Sequence, residues 1–353
     1  MEYAGIQIKQ EPPEAADGYR RAFAQGIENF IARKNADCRE QREAFLRPDA
    51  LVRDPEGYRE RYRKMLGLDV FSEPASVPAE LRYAGSDEMC RIYRLVVWIS
   101  DEIPFYSLLM IPHGVKEPMP LVITQHGGGG TPELCSDMNG KNNYNHMVRR
   151  VLARGAAALA PQLLLWSQTE LETARAHPIP YERGKTDWNL KRFGTSITAL
   201  EIAGISRSLD YVSSLPQIDP ERVAMIGLSY GGYFTLHTMA ADTRIKAGYS
   251  AAAFNDRDME RKQDWGYPGS ALMFQDAEVA ALCAPRRLYV QVGREDTVFD
   301  YRTAIPEAER VKKYYEAYGC PENYIFDLWD GGHKVSDYDT GYDFMFEAIK
   351  EKG

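Results

Sequence analysis

Residues Arg222 to Ala241 read Arg-Val-Ala-Met-Ile-Gly-Leu-Ser-Tyr-Gly-Gly-Tyr-Phe-Thr-Leu-His-Thr-Met-Ala-Ala, and this stretch restricts what the chain can fold into. A short apolar run, Val223 to Ile226, has the composition of a buried parallel strand. The residues after Gly232 contain no proline and space Phe234, Leu236, Met239 and Ala240 for burial on a helix. Between them Gly227-Leu228-Ser229-Tyr230-Gly231 leaves room only for a sharp turn. A serine on such a turn adopts a strained backbone with its hydroxyl clear of the sheet, and a Cβ at either glycine would crowd the strand or the helix. Ser229 is the candidate nucleophile.

A serine needs a base to take its proton and a third group to orient that base. In a doubly wound sheet those groups lie just beyond the carboxyl ends of later strands. The strand Leu288 to Val292 runs into Gly293-Arg-Glu-Asp296, and the strand Tyr324 to Trp329 runs into Asp330-Gly-Gly-His333. Asp296 and His333 are therefore the candidate acid and base, with Glu295 and Asp256 as alternative acids. For the oxyanion, the strand Leu121 to His126 ends in Gly127 to Gly130, whose N–H groups no side chain obstructs. Gly128 and Gly129 are the expected donors together with the N–H of Tyr230, and His126 reads as a support for the glycine loop. No Gly-Lys-Ser/Thr closes the glycine run and no Gly-x-Gly-x-x-Gly opens a helix, which argues against a nucleotide site.

The rest of the chain alternates strand and helix. Predicted strands lie at Ala156 to Ala160 and Ile245 to Ala251, with helices at Ser196 to Leu215, Ala277 to Leu282, Pro306 to Tyr318 and Tyr342 to Glu351. Two β-rich runs, Cys90 to Ile99 and Pro104 to Ile111, suggest an antiparallel hairpin at one edge. This is an α/β fold: a mostly parallel, doubly wound sheet with helices on both faces. The expected division is a helical N-terminal extension, residues 1–80, packed on a catalytic domain, residues 81–353. Within the extension, residues 1 to 17 read as an irregular arm. Phe23, Ile27, Phe30 and Ile31 recur at helical spacing, and a second helix, Pro55 to Leu68, carries Arg59, Arg61, Arg63 and Lys64 interleaved with Glu56 and Glu60, the pattern of a solvated face.

Residues 161–192 show no clean period and concentrate Trp166, His177, Tyr181, Arg183, Lys185 and Trp188. A loop of that length is expected to act as an insert or lid over the site. Trp166, Tyr181 and Trp188 are candidates for stacking on a sugar or aromatic ring, and Arg183 for holding a carboxylate.

The net charge of −8 gives no electrostatic reason for a nucleic-acid or anionic-membrane partner, and no apolar run is long enough to span a bilayer. The N-terminus lacks a basic start followed by an apolar core, so the expected location is the cytoplasm. Five widely spaced cysteines, with no C-x-x-C, read as free thiols. Neither a metal cluster nor a cofactor motif is evident. The expected partner is a small-molecule ester, with homo-oligomerisation left open.

Leu209-Asp-Tyr-Val-Ser-Ser-Leu-Pro-Gln-Ile-Asp-Pro-Glu-Arg222 running into Gly-Leu-Ser-Tyr-Gly-Gly, then Ala284 to Phe299, then Gly331-Gly-His333, together resemble the acetyl xylan esterase and dienelactone hydrolase-like branch of the α/β-hydrolase superfamily. The order Ser, Asp, His is also the one expected of that superfamily. The resemblance covers residues 85 to 351 and implies a serine esterase with Ser229, Asp296 and His333 as its triad, acting on small acyl esters such as acetylated carbohydrate or plant-derived esters. Dienelactone hydrolases proper use a cysteine nucleophile, so the serine argues against that reaction. The four-glycine run departs from a simple His-Gly turn and is similar to the HGGG loop of lipase-like esterases. Two other readings keep the fold. One is a prolyl oligopeptidase-like peptidase, although 80 leading residues cannot hold that group's propeller. The other is a non-catalytic ligand-binding homologue.

Overall fold

Strands with apolar residues on both faces must be covered on both sides, and helices do so here. The computed structural model describes residues 2–140, 142–164, 182–258 and 263–350. A short hairpin, β1 (Glu2–Tyr3) and β2 (Ile6–Gln7), precedes helices α1 (Asp17–Phe45), α2 (Pro48–Arg53) and α3 (Pro55–Leu66). Next come β3 (Glu80–Ser86), β4 (Cys90–Ser100), β5 (Ile103–Pro112) and β6 (Met119–Gln125), then α4 (Pro132–Cys135), α5 (Met147–Leu152) and β7 (Ala157–Pro161). Helices α6 (Arg183–Lys191) and α7 (Ile197–Ser213) lead to β8 (Ile218–Leu228), α8 (Tyr230–Ala241) and β9 (Ile245–Ala251). The chain finishes with α9 (Ser270–Met273), α10 (Asp276–Cys283), β10 (Arg287–Gly293), α11 (Tyr301–Ala317), β11 (Tyr324–Trp329) and α12 (Thr340–Phe346).

The main sheet has the order β11-β10-β9-β8-β6-β7-β5-β4-β3. From β11 to β7 all neighbours are parallel, and β5, β4 and β3 add an antiparallel meander at one edge. The chain passes from β6 to β7 on one side and then crosses to β8 on the other. The order thus reverses at the β6/β8 boundary, where Gln125 pairs with Gly227, and the loops leaving those two strands face each other across a crevice. Alternate residues of β8 serve two cores. Val223 and Met225 pack with α7 and α8, while Ala224, Ile226 and Leu228 pack with α5 and α12.

The N-terminal extension divides in two. Helices α2 and α3 are docked: Tyr62 Oη meets His237 Nδ1 on α8, and Tyr314 on α11 and Tyr318 just beyond it donate to the carbonyls of Leu46 and Leu51. The solvated-face reading of α3 needs correction at Arg59, which is buried and donates to the Leu282 and Ala284 carbonyls at 3.2 and 3.0 Å. There it satisfies the carboxyl end of α10, where a helix is negatively polarised. The packing expected of the first helix also fails. Residues 18–34 of α1 are exposed, and only its second half reaches the body, through buried Cys38 and Arg42.

Several elements differ from the expectations, among them the β1–β2 hairpin within the stretch expected to be an irregular arm. β3 has Gly85 and several exposed residues, because an edge strand facing solvent needs no apolar pattern, and β4 supplies its register. α6 falls in the segment read as a long loop. α11 begins at Tyr301 rather than at Pro306, because Asp300 caps it by accepting from the Arg302 N–H at 2.9 Å. No helix among the described residues is long and apolar enough to cross a membrane.

Candidate active site

Ser229 sits between β8 and α8 with φ 58° and ψ −120°, a backbone conformation that costs a non-glycine residue energy. Its own N–H donates to the Ala251 carbonyl at 2.8 Å, tying the turn to β9. Close approach explains the flanking glycines. A Cβ on Gly231 would lie 2.0 Å from the Gln125 carbonyl oxygen, and one on Gly227 would lie 2.2 Å from the Gly231 oxygen. The strand and helix therefore meet backbone to backbone, and Ser229 is forced outward at the β6/β8 crevice.

β10 and β11 are parallel neighbours with Gly293 opposite Trp329, so the loops that follow them leave from the same edge as the serine turn. His333 Nδ1 and Asp296 Oδ2 are 2.9 Å apart, with the Asp296 side chain inaccessible to solvent and that of His333 20% exposed. The other Asp296 oxygen accepts the N–H groups of Val298 at 2.7 Å and Phe299 at 3.1 Å, which fixes the carboxylate and leaves Oδ2 for the imidazole. Of the alternative acids, Glu295 is exposed and Asp256 pairs with Arg39 at 2.9 Å. Asn143, which the sequence pattern did not single out, holds the histidine loop by donating to the His333 carbonyl at 2.8 Å and accepting the Val335 N–H at 3.3 Å by its own carbonyl.

The glycine loop after β6 is also braced from several directions. Gly127 donates to Tyr144 Oη at 2.9 Å, and Gly130 N–H closes the turn on the Gly127 carbonyl at 3.1 Å. Gly128 and Gly129 remain half-buried at the tip. A Cβ on Gly127 would come within 3.1 Å of Ser229 Cβ, so the loop lies directly against the Ser229 turn. The support expected of His126 takes a definite chemical form. Its Nε2 accepts the Leu163 N–H at 2.9 Å, so the proton must sit on Nδ1, which donates to the Gly127 carbonyl at 2.9 Å. Burial lowers the pKa of this imidazole to about 4.

The four candidates for substrate contact have different outcomes. Trp166 and Tyr181 lie outside the described residues. Trp188, on α6, is 61% exposed, with the Arg192 guanidinium 5.1 Å from its ring centroid. Arg183 needs correction, because its guanidinium is buried and already committed. It donates through Nε to Asp264 at 2.7 Å, through both terminal nitrogens to Glu201 at 2.9 and 2.8 Å, and to the Leu164 carbonyl at 3.0 Å. An arginine so fully bonded by buried carboxylates has little capacity left for a substrate carboxylate. Desolvation pushes the Glu201 carboxyl up, and Arg183 opposes that shift. The Asp264 carboxylate also accepts from Tyr230 Oη at 3.2 Å, so this cluster reaches the residue that follows Ser229. From Tyr230 a row of rings continues through Trp265 and Phe299 to His333, with centroid spacings of 4.8, 6.1 and 5.7 Å.

Burial pushes the Cys90 and Cys283 thiols to about 11, which keeps them protonated near neutrality and poor as nucleophiles. Among the described residues no group of three or more His, Cys, Asp or Glu side chains could hold a metal ion.

Fold and topology define an α/β-hydrolase. The sequence profile of the acetyl xylan esterase (AXE1) family matches residues 72–261, more than half of the chain. The chain belongs to that family, a family of ester-bond hydrolases. Similar solved structures include the methylesterase BT1017 (20% identity, TM-score 0.67, covering 88% of this chain and 68% of that one). The acetyl xylan esterase of Paenibacillus sp. R4 gives 17% identity, a TM-score of 0.57 and coverage of 83% of this chain and 95% of that one. The glucuronoyl esterase of Solibacter usitatus gives 18% identity, a TM-score of 0.55 and coverage of 82% and 91%. At those identities the likeness is one of fold. Among curated proteins, YtaP of Bacillus subtilis strain 168, which carries the name of a hydrolase, is 32% identical over 97 residues. That alignment spans 25% of this chain and 32% of YtaP, so the match covers about a third of the relative's length.

Proposed function

We propose that this chain hydrolyses small carboxylic esters, acetyl esters of carbohydrate foremost, through a Ser229–His333–Asp296 triad and an acyl-enzyme. The observation that carries the reading is the pairing of His333 Nδ1 with a buried Asp296 whose second oxygen is already held by two N–H groups. That pairing sets the tautomer in which Nε2 bears the lone pair. The strained turn at Ser229 supplies the nucleophile and the acetyl xylan esterase family supplies the acyl class.

In the first half-reaction Ser229 Oγ attacks the acyl carbon and its proton passes to His333 Nε2, with Asp296 stabilising the imidazolium. The developing oxyanion is held by the N–H of Tyr230, which opens α8 at the positive end of its dipole, and by Gly128 and Gly129 at the tip of the glycine loop. Each such donor contributes roughly 3 kcal/mol to the transition state. His333 then protonates the departing alcohol. In the second half-reaction it takes a proton from water, which attacks the acyl carbon, and then returns that proton to Ser229 Oγ as the acyl–oxygen bond breaks and the carboxylic acid leaves.

Arg183 acts in this scheme by position. It gathers the residues around Leu164, Asp264 and Glu201 and, through Asp264, supports Tyr230. The test is hydrolysis of p-nitrophenyl esters of increasing acyl length, with Ser229→Ala in parallel. Activity is expected on acetate, to fall with acyl length and to vanish in the variant. Ester turnover that persists in Ser229→Ala, or a proline-containing amide cleaved as fast as the ester, overturns the proposal.

A further inference from the structure

The last glycine of the run Gly127–Gly130 lacks a side chain for a reason of its own. A Cβ on Gly130 would lie 2.2 Å from Tyr144 Oη. That hydroxyl sits in the hollow of the turn, accepting the Gly127 N–H at 2.9 Å while Gly130 closes on the Gly127 carbonyl at 3.1 Å. The Tyr144 ring is buried in the core shared with α5 and β8, so the glycine turn closes around a fixed post.

The residues on either side of Tyr144 reach a different loop. Asn143 Nδ2 donates to the His333 carbonyl at 2.8 Å, and Asn145 Nδ2 donates to the Ser336 carbonyl at 2.8 Å and to Asp337 Oδ1 at 3.0 Å. The segment is itself pinned. Asn142 donates to the Leu134 carbonyl at 3.0 Å and to Asp137 at 2.9 Å, and it accepts the Tyr144 N–H at 2.9 Å. Asn145 and His146 hold φ of 51° and 56°, left-handed conformations that residues with a Cβ keep where their surroundings fix them. In the sheet, β8, β9 and β10 stand between β6 and β11, so the roots of the glycine and histidine loops are roughly 19 Å apart. The strands alone set the separation of the loop tips only coarsely.

We propose that Asn143, Tyr144 and Asn145 form one positioning segment that holds the glycine loop and the histidine loop in fixed relation, an inference that rests on the triad proposed above. Tyr144 places the oxyanion donors and its two neighbours place the base, so displacing either contact shifts the same piece of chain and disturbs both loops.

The experiment measures kcat and KM for p-nitrophenyl acetate, with urea midpoints, on Tyr144→Phe, on Asn143→Ala/Asn145→Gly and on the three changes together. Glycine at 145 keeps the positive φ and removes both side-chain hydrogen bonds. Each of the first two variants should lower kcat about 10- to 100-fold with KM within about twofold of wild type, because contacts that place groups for the transition state are lost from kcat. The three changes together should fall no more than about threefold below the slower of those two, since groups acting as a unit lose their effect once. Should any of these fail to fold, Gly130→Ala tests the same contact from the loop side. Its methyl group should lower kcat in wild type and cost less in Tyr144→Phe, where the hydroxyl it meets is gone. Wild-type kcat in either variant, losses that multiply, a loss confined to KM, or an equal cost of Gly130→Ala in both backgrounds would each overturn the proposal. Ser229→Ala separates the two levels. Turnover that persists there removes the triad and this segment's role together, whereas turnover that needs Ser229 but not the segment removes the segment's role alone.

Discussion

The Ser229 turn and the Arg183 cluster lie on either side of Tyr230 and hold their geometry by opposite means. At the turn, Gly227, Ser229 and Gly231 are close in sequence, and backbone contacts that admit no Cβ set the structure. In the cluster, Arg183, Glu201 and Asp264 come from three separate segments, and charge-assisted hydrogen bonds among buried groups set it. The first is enforced by excluded volume, so a side chain at either glycine breaks it. The second depends on charge balance, so its response should depend on which charge is left unpaired.

Chemistry at the turn gives the largest expected effect. Ser229→Ala should lower kcat/KM for p-nitrophenyl acetate by a factor on the order of 10⁴ or more while leaving the urea midpoint within the range of a surface change. Gly231→Ala breaks the turn itself, because β6 and α8 must separate to admit a methyl group now 2.0 Å from a carbonyl oxygen. Destabilisation above about 4 kcal/mol, read as a loss of soluble folded protein or a large fall in urea midpoint, is the expected outcome.

On the other side, Arg183→Met leaves Glu201 and Asp264 buried without their cation and should cost about 3–5 kcal/mol. Arg183→Met/Glu201→Gln should recover part of that loss in the same urea titration. If the single variant is as stable as wild type, the cluster does not hold the region together.

Acid tests the glycine loop. His126 is held neutral with a pKa of about 4 against about 6.5 when unfolded, so the unfolded chain binds the extra proton between those values. The stabilisation is complete above about pH 6.5 and is lost as pH falls toward 4, at most about 3 kcal/mol. His237, whose pKa burial also lowers, adds a loss of the same sign. His126→Asn should flatten this dependence between pH 7 and 4.5. The smallest effect is expected at Trp188, where replacement by alanine should change stability by no more than about 0.5 kcal/mol.

The same contrast explains what could be read in the sequence. Parallel strands announced themselves by apolar runs, and Asp296 and His333 by following strands at glycine turns, because both signals are local. The edge strand Glu80–Ser86 lacked an apolar pattern since its faces need no burial, and α6 was obscured by the polar composition of its residues. The sequence presents Arg183 as free to hold a substrate carboxylate because the carboxylates that surround it are distant in sequence. Asn143 and Tyr144 act through a backbone carbonyl and a backbone N–H, contacts that only the folded chain brings together. Arg59 looked like part of a solvated charge run, and only the position of the carboxyl end of α10 shows its role.

The central claim is that Ser229 is activated by His333 and Asp296. Intact-mass analysis after treatment with a fluorophosphonate tests it most directly, using wild type, Ser229→Ala and His333→Ala. The account predicts a single adduct on wild type, located on Ser229, none on Ser229→Ala and greatly slowed labelling of His333→Ala. An adduct that persists in Ser229→Ala, or labelling of His333→Ala at the wild-type rate, would contradict it.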